Sequence, residues 1–228
     1  MTQVVFEENG YLDKYIGDAI MAFWNAPKEV PDHADRAMRT AIFMQRRMTA
    51  LNERWAEADP EHVPLMVRIG VHTGEVVVGN VGGEERFDYS AIGDAVNLAA
   101  RLEPANKTYD TLNMVSDVTL AAGEGEYRVR ELDYIAVKGK DEPVKVYELL
   151  ELAGETLPPD KEAALEHYSA GMTAYKQHDW AGAKTHFEAG IAACPKDGPC
   201  ILYATRCQEN IEEPPPSDWD FVVHRTEK

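Results

Sequence analysis

Residues 11–23 alternate apolar and polar side chains around a central Gly17-Asp18 pair, with Tyr11, Leu12 and Ile16 before it and Ile20, Ala22 and Phe23 after it. A period of two that breaks at a turn-forming dipeptide predicts a two-stranded hairpin. From Asp32 onward the period changes. Ala34, Ala37, Met38, Ala41, Ile42, Met48, Leu51 and Trp55 recur at helical spacing, which predicts a long amphipathic helix with Asp32 as its N-cap and the whole stripe in the core. Strand patterns follow near 65–71, 127–136 and 144–150, with an Ala-rich helical run at 96–102 between the first two. Mixed periods of this kind predict an α+β, ferredoxin-like layout with helices packed on one sheet face.

Chemistry-bearing residues fall at marked places in that layout. Asn97 and Arg101 are four residues apart, so on a helix they share one face while Val96, Leu98 and Ala99 point elsewhere. An amide and an always-charged guanidinium aimed at one point suit the charge that grows on phosphate oxygens during phosphoryl or nucleotidyl transfer. Asp18 at a hairpin tip is ordinary turn chemistry when taken alone. As a hard oxygen ligand it also suits Mg²⁺ or Mn²⁺, which leave positions open for substrate phosphates.

The two segments Leu-Asp-Lys-Tyr-Ile-Gly-Asp-Ala-Ile-Met-Ala-Phe (12–23) and Ser-Ala-Ile-Gly-Asp-Ala-Val-Asn-Leu-Ala-Ala-Arg (90–101) together resemble the catalytic signature of class III nucleotidyl cyclases. Residues 68–79 resemble the interfacial hairpin of that family, and 137–148 its closing strand pair. The resemblance implies that Asp18 binds catalytic divalent ions, Mg²⁺ or Mn²⁺ at a two-ion site, and that Lys14 and Ser90 read adenine. Asn97 would orient the ribose, and Arg101 and Lys138 would neutralise phosphate charge. Many adenylate cyclases carry Asp where Ser90 stands; a hydroxyl accepts the same bond, and one branch of the family uses Thr or Ser there. Guanylate cyclases usually carry Glu in place of Lys14, so the resemblance implies ATP, converted to 3',5'-cyclic AMP and pyrophosphate.

In that comparison the first ten residues match the end of the second helix. The opening strand, with the first metal Asp and its phosphate-binding turn, would then be missing, through truncation or a misplaced start. Family members build each site across a homodimer or heterodimer, and this chain would supply only the half with Lys14, Ser90, Asn97 and Arg101. It is expected to be weakly active or inactive alone; the alternative is a regulatory or scaffold half-cyclase. Gly82-Gly-Glu-Glu85 resembles a diguanylate cyclase motif, but Arg86 replaces the aromatic residue that motif requires.

The net charge of −17 excludes a basic nucleic-acid surface. No apolar run is long enough for a membrane span, which predicts a cytoplasmic chain. Cys194, Cys200 and Cys207 are odd in number and lack C-x-x-C spacing, so buried free thiols are expected. His72 is expected to pack, not to catalyse. The sequence divides into a cyclase domain at 1–152, a linker at 153–160, a helical segment at 161–213 and an extended tail at 214–228. Asp179-Trp-Ala-Gly-Ala-Lys-Thr-His-Phe-Glu-Ala189 resembles the second helix of a tetratricopeptide repeat, whose apolar face needs the cyclase domain or a protein partner to cover it. This tail resembles that of bacterial cyclases with a membrane-anchored CHASE-type sensor, which implies a parent protein held in the inner membrane.

Overall fold

A computed structural model of the chain describes residues 1–83, 86–135, 143–216 and 219. The predicted hairpin is present: β1 (Tyr11–Ile16) and β2 (Ala19–Phe23) pair antiparallel. Gly17 turns between them at φ +63°, a conformation that costs glycine little. A short helix, α1 (Thr2–Glu7), precedes the hairpin, and its buried Val4 and Val5 pack with Met44 and Trp24.

The long helix α2 (His33–Ala58) buries Ala34, Ala37, Met38, Ala41, Ile42 and Met44. Three expectations need correction here. Asp32 holds the N-cap position without capping, because its carboxylate accepts from Arg36 Nε at 2.8 Å and lies 3.5 Å from Arg39. The apolar stripe also leaves the core toward the C-terminus: Met48 and Leu51 are half-buried, and Trp55 is exposed, its ring edge-on to His62. The strand expected from residue 65 is only β3 (Ile69–Val71), since Leu65 and Met66 lie exposed outside any ladder.

β3 pairs parallel with β6 (Asn113–Ser116), and the four-stranded sheet continues through β8 (Val144–Leu152) to β7 (Tyr127–Ile135), in the order β3-β6-β8-β7. Met38, Ala41 and Ile42 of α2 meet Val115 and Leu149 in one core cluster. β4 (Val77–Gly83) and β5 (Arg86–Ile92) form a separate antiparallel ladder. α3 (Asp94–Tyr109) follows β5, and α4 (Asp117–Ala122) follows β6, capped by Ser116, whose hydroxyl also pairs with His72 Nδ1 at 2.7 Å. The carboxylate of buried Asp35 accepts from the amides of Glu124 and Gly125 and from the Tyr127 hydroxyl. Burial alone would raise its pKa; those hydrogen bonds outweigh burial and hold it below the usual carboxylate range.

The chain divides into two compact units. The first comprises Met1–Asn106, Leu112–Val129 and Tyr147–Ala153; the second comprises Lys107–Thr111, Arg130–Val146 and Gly154–Lys228. The second unit includes the helices α5 (Pro159–Lys176), α6 (Trp180–Ala193) and α7 (Gly198–Glu212). Tyr168, Tyr175, Phe187 and Tyr203 form their aromatic core, with Trp219 packed against it. Tyr168 and Tyr203 donate their hydroxyls to the carbonyls of Glu131 and Leu132 on the outer half of β7. Cys200 and Cys207 are buried and Cys194 is half-buried, all as free thiols. Among the described residues no helix is long and apolar enough to cross a membrane.

Candidate active site

All the described candidate residues lie in the first unit, on the hairpin, on β5 and on α3. Gly70 brings α3 close to the sheet: a Cβ there would sit 2.5 Å from Glu103 N and 2.6 Å from Ala99 O, so the helix rests on the β3 backbone. Buried Asn106 then fastens it, its side-chain amide donating to Ile69 O at 3.1 Å. With Leu98, Leu102 and Ala105 facing inward, Asn97 and Arg101 occupy the opposite, exposed face, as their spacing predicts. Neither side chain has a hydrogen bond or ion pair among the described residues.

The hairpin is held against β5 by three rings. Tyr11 lies 5.0 Å from Phe23 and 5.3 Å edge-on from Tyr89, and Phe23 lies 6.3 Å from Tyr89. This clamp sets Ser90, 4% exposed, opposite β1, where its Oγ donates to Asp13 Oδ2 at 2.6 Å. Lys14 Nζ lies 3.4 Å from the other oxygen of Asp13, with the Lys14 side chain 41% exposed and that of Asp13 fully buried. The structure therefore brings Lys14 and Ser90 to one carboxylate that the motif reading did not include. Asp13 is the extra residue of a β-bulge, since the β1–β2 register shifts between Leu12 and Lys14. The sequence carries a trace of it: two successive polar residues, Asp13-Lys14, sit between the pairs Tyr11-Leu12 and Tyr15-Ile16, out of step with a strand period of two.

Asp18 stands exposed at the hairpin tip beside Gly17. Among the described residues no three His, Cys, Asp or Glu side chains gather into a metal cluster. Asp18 fits a divalent ion as one hard donor beside phosphate oxygens and further ligands from elsewhere. Lys138, expected on the triphosphate, lies outside the described residues. A cavity of about 220 Å³ in the second unit, bordered by Glu131, Asp133, Met172, Tyr175 and Arg206, contains none of the candidates.

The profile of the adenylate and guanylate cyclase catalytic domain matches residues 1–151. The chain belongs to this cyclase family. Over 215 residues it is 34% identical to the "Adenylate cyclase, terminal-differentiation specific" of Dictyostelium discoideum, a match covering 91% of this chain and 10% of that protein. The cyclase fold is also seen in two solved structures at 31% identity, each with a TM-score of 0.60. One is the adenylyl cyclase CyaB from P. aeruginosa, covering 68% of this chain and 79% of that one. The other is the guanylyl cyclase Cya2, covering 67% and 76%. The chain thus spans one tenth of the length of its Dictyostelium relative.

Proposed function

We propose that this cyclase domain forms 3',5'-cyclic AMP and pyrophosphate from ATP, acting as one half of a dimeric site in signal transduction. The pairing of Lys14 and Ser90 on Asp13 carries the choice of base, because family membership alone leaves adenylyl and guanylyl relatives equally near. The Lys14 ammonium supplies a hydrogen-bond donor and the Ser90 hydroxyl an acceptor, the pattern the adenine edge complements. The Dictyostelium relative, which matches 91% of this chain, is named an adenylate cyclase.

In the proposed reaction the ribose 3'-hydroxyl attacks the α-phosphorus and pyrophosphate leaves. Asn97 orients the ribose, and Arg101 meets the charge that builds on the phosphate oxygens; both face solvent, ready for a ligand. Lys138 is assigned to the triphosphate by the resemblance. Asp18 would hold Mg²⁺ or Mn²⁺, which when bound acidifies the hydroxyl and offsets phosphate charge. Residues 161–213 are assigned to a tetratricopeptide-like appendage that contacts a protein partner.

The test mixes this chain with a cyclase subunit that retains its metal carboxylates but lacks its own Asn and Arg, and measures cyclic AMP from MnATP. Activity in the mixture that neither chain shows alone is expected. Silence despite demonstrated association would leave the regulatory half-cyclase as the better reading.

A further inference from the structure

Ser90 carries one O–H and two lone pairs, so what it can read on a base depends on where its single hydrogen points. Here the hydrogen is committed. Ser90 Oγ donates to Asp13 Oδ2 at 2.6 Å, the short separation of a hydroxyl bound to a carboxylate. The other oxygen, Oδ1, is sealed from solvent and accepts no hydrogen bond among the described residues; Lys14 Nζ is 3.4 Å away. A buried carboxylate oxygen left in that state draws the nearest donor toward itself. Lys14 has three N–H donors, so it can lean toward Asp13 and still present one outward. The bulge makes this possible, since successive residues of a regular strand point to opposite faces.

We infer that Asp13 is the positioning residue that sets base selectivity: by taking the Ser90 hydrogen and steadying the Lys14 ammonium, it fixes an acceptor beside a donor and so selects a 6-aminopurine nucleotide over a 6-oxopurine one. The inference rests on the proposal that Lys14 and Ser90 face the base, and it adds the group that gives them their polarity. Adenine presents an acceptor, N1, beside a donor, its 6-amino group. A 6-oxopurine presents the reverse, which places its carbonyl against the Ser90 lone pairs and its N1–H against the ammonium. Both contacts are then mismatched, and at Ser90, 4% exposed, little solvent is at hand to make up the lost bond, a condition that discriminates strongly. A free hydroxyl would rotate and accept either base. Asp13 removes that freedom.

The experiment measures displacement of a ribose-labelled fluorescent ATP analogue from the full chain by ATP and by inosine triphosphate, in Mn²⁺. The unmodified chain is compared with Asp13→Asn and Ser90→Ala. Asn keeps the shape of Asp but can donate to Ser90 through its amide, releasing the hydroxyl hydrogen. The ATP preference over inosine triphosphate is expected to fall about tenfold in Asp13→Asn, the effect of one hydrogen bond of reversed polarity. General damage to the strand would weaken both nucleotides and leave their ratio unchanged. A ratio that collapses in Ser90→Ala but holds in Asp13→Asn overturns the role of Asp13 and leaves the adenine reading standing. A ratio unchanged in Ser90→Ala, or no binding of either nucleotide to the unmodified chain, overturns that reading and this inference with it. Should Asp13→Asn fail to fold, the unmodified chain decides with a purine riboside triphosphate that lacks any 6-substituent. Inosine triphosphate binding about tenfold more weakly than it supports a fixed acceptor, and equal binding overturns one.

Discussion

Arg101 and Arg206 are the same side chain under opposite treatment. Arg206, in the second unit, donates to Asp133 Oδ2 at 2.7 Å and lies over the Tyr203 ring at 4.9 Å. Burial would lower its pKa, but the Asp133 carboxylate outweighs burial and raises it. Arg101, in the first unit, stands on an exposed helix face without a partner among the described residues. The aspartates divide in the same way. Asp197 is 2% exposed and held by Arg130 at 2.7 Å and Lys161 at 2.9 Å, whereas Asp18 sits in the open at a turn. Charges closed among themselves serve cohesion; Arg101 and Asp18 are left open, as their proposed roles toward phosphate and metal require.

The largest effect that would break this contrast is expected at Arg101. Arg101→Ala should lower turnover of MnATP in the complemented dimer by about 100-fold or more, while ATP affinity changes only about threefold. Its melting temperature should match that of the unmodified chain; a clear loss of stability would show that Arg101 had been structural all along. Asp197→Asn should behave the opposite way, costing about 3 kcal/mol in urea unfolding because Arg130 and Lys161 lose their counter-charge in a buried place. Unchanged stability would show that the ion cluster does not hold the second unit together.

How much of this contrast could be read beforehand follows from how local each signal is. The hairpin, the helix at Asn97 and Arg101, and the helix α6 were legible because each signal is carried by residues close together in the chain. Trp55 was not, since the stripe continues in sequence after α2 has run past what it packs on, and only the tertiary structure says where that happens. Asp32 carried a cap signal that two arginines, Arg36 and Arg39, took over. Asp13 lay inside the recognised motif and was passed over because its partners, Ser90 at one oxygen and Lys14 at the other, meet only once β1 lies beside β5. The arrangement around Asp197 joins residues 130, 161 and 197 and leaves no trace at any one of them.

Two smaller effects sharpen the comparison on the closed side. Gly171→Ala would set a Cβ 2.7 Å from the Phe187 ring, and the resulting overpacking should cost about 2 kcal/mol in the same urea titration. Its effect on nucleotide binding in the first unit should be nil, and any change in the fluorescent displacement assay would show coupling between the two. The smallest expected effect is with pH. Burial raises the pKa of Asp197, but Arg130 and Lys161 outweigh it and hold the folded-state value well below that of the unfolded chain. The stabilisation is therefore complete above about pH 5 and fades as the pH falls through the unfolded value toward the depressed one, a loss of roughly 1 kcal/mol between about pH 5 and pH 3. Urea midpoints across that range should fall for the unmodified chain and flatten in Asp197→Asn.

The bulge at Asp13 has a consequence for anyone wishing to re-engineer nucleotide choice in related domains. A strand without the extra residue would send Asp13 and Lys14 to opposite sides, so grafting a lysine alone into the equivalent hairpin carries over a charge without its aim. On the proposed reading of Lys14 and Ser90, the transplantable unit is the irregular stretch Leu12-Asp13-Lys14 together with a hydroxyl on the neighbouring strand. A one-residue deletion there should rewrite the choice of base more thoroughly than exchanging either side chain, because it turns the whole tip of the hairpin over.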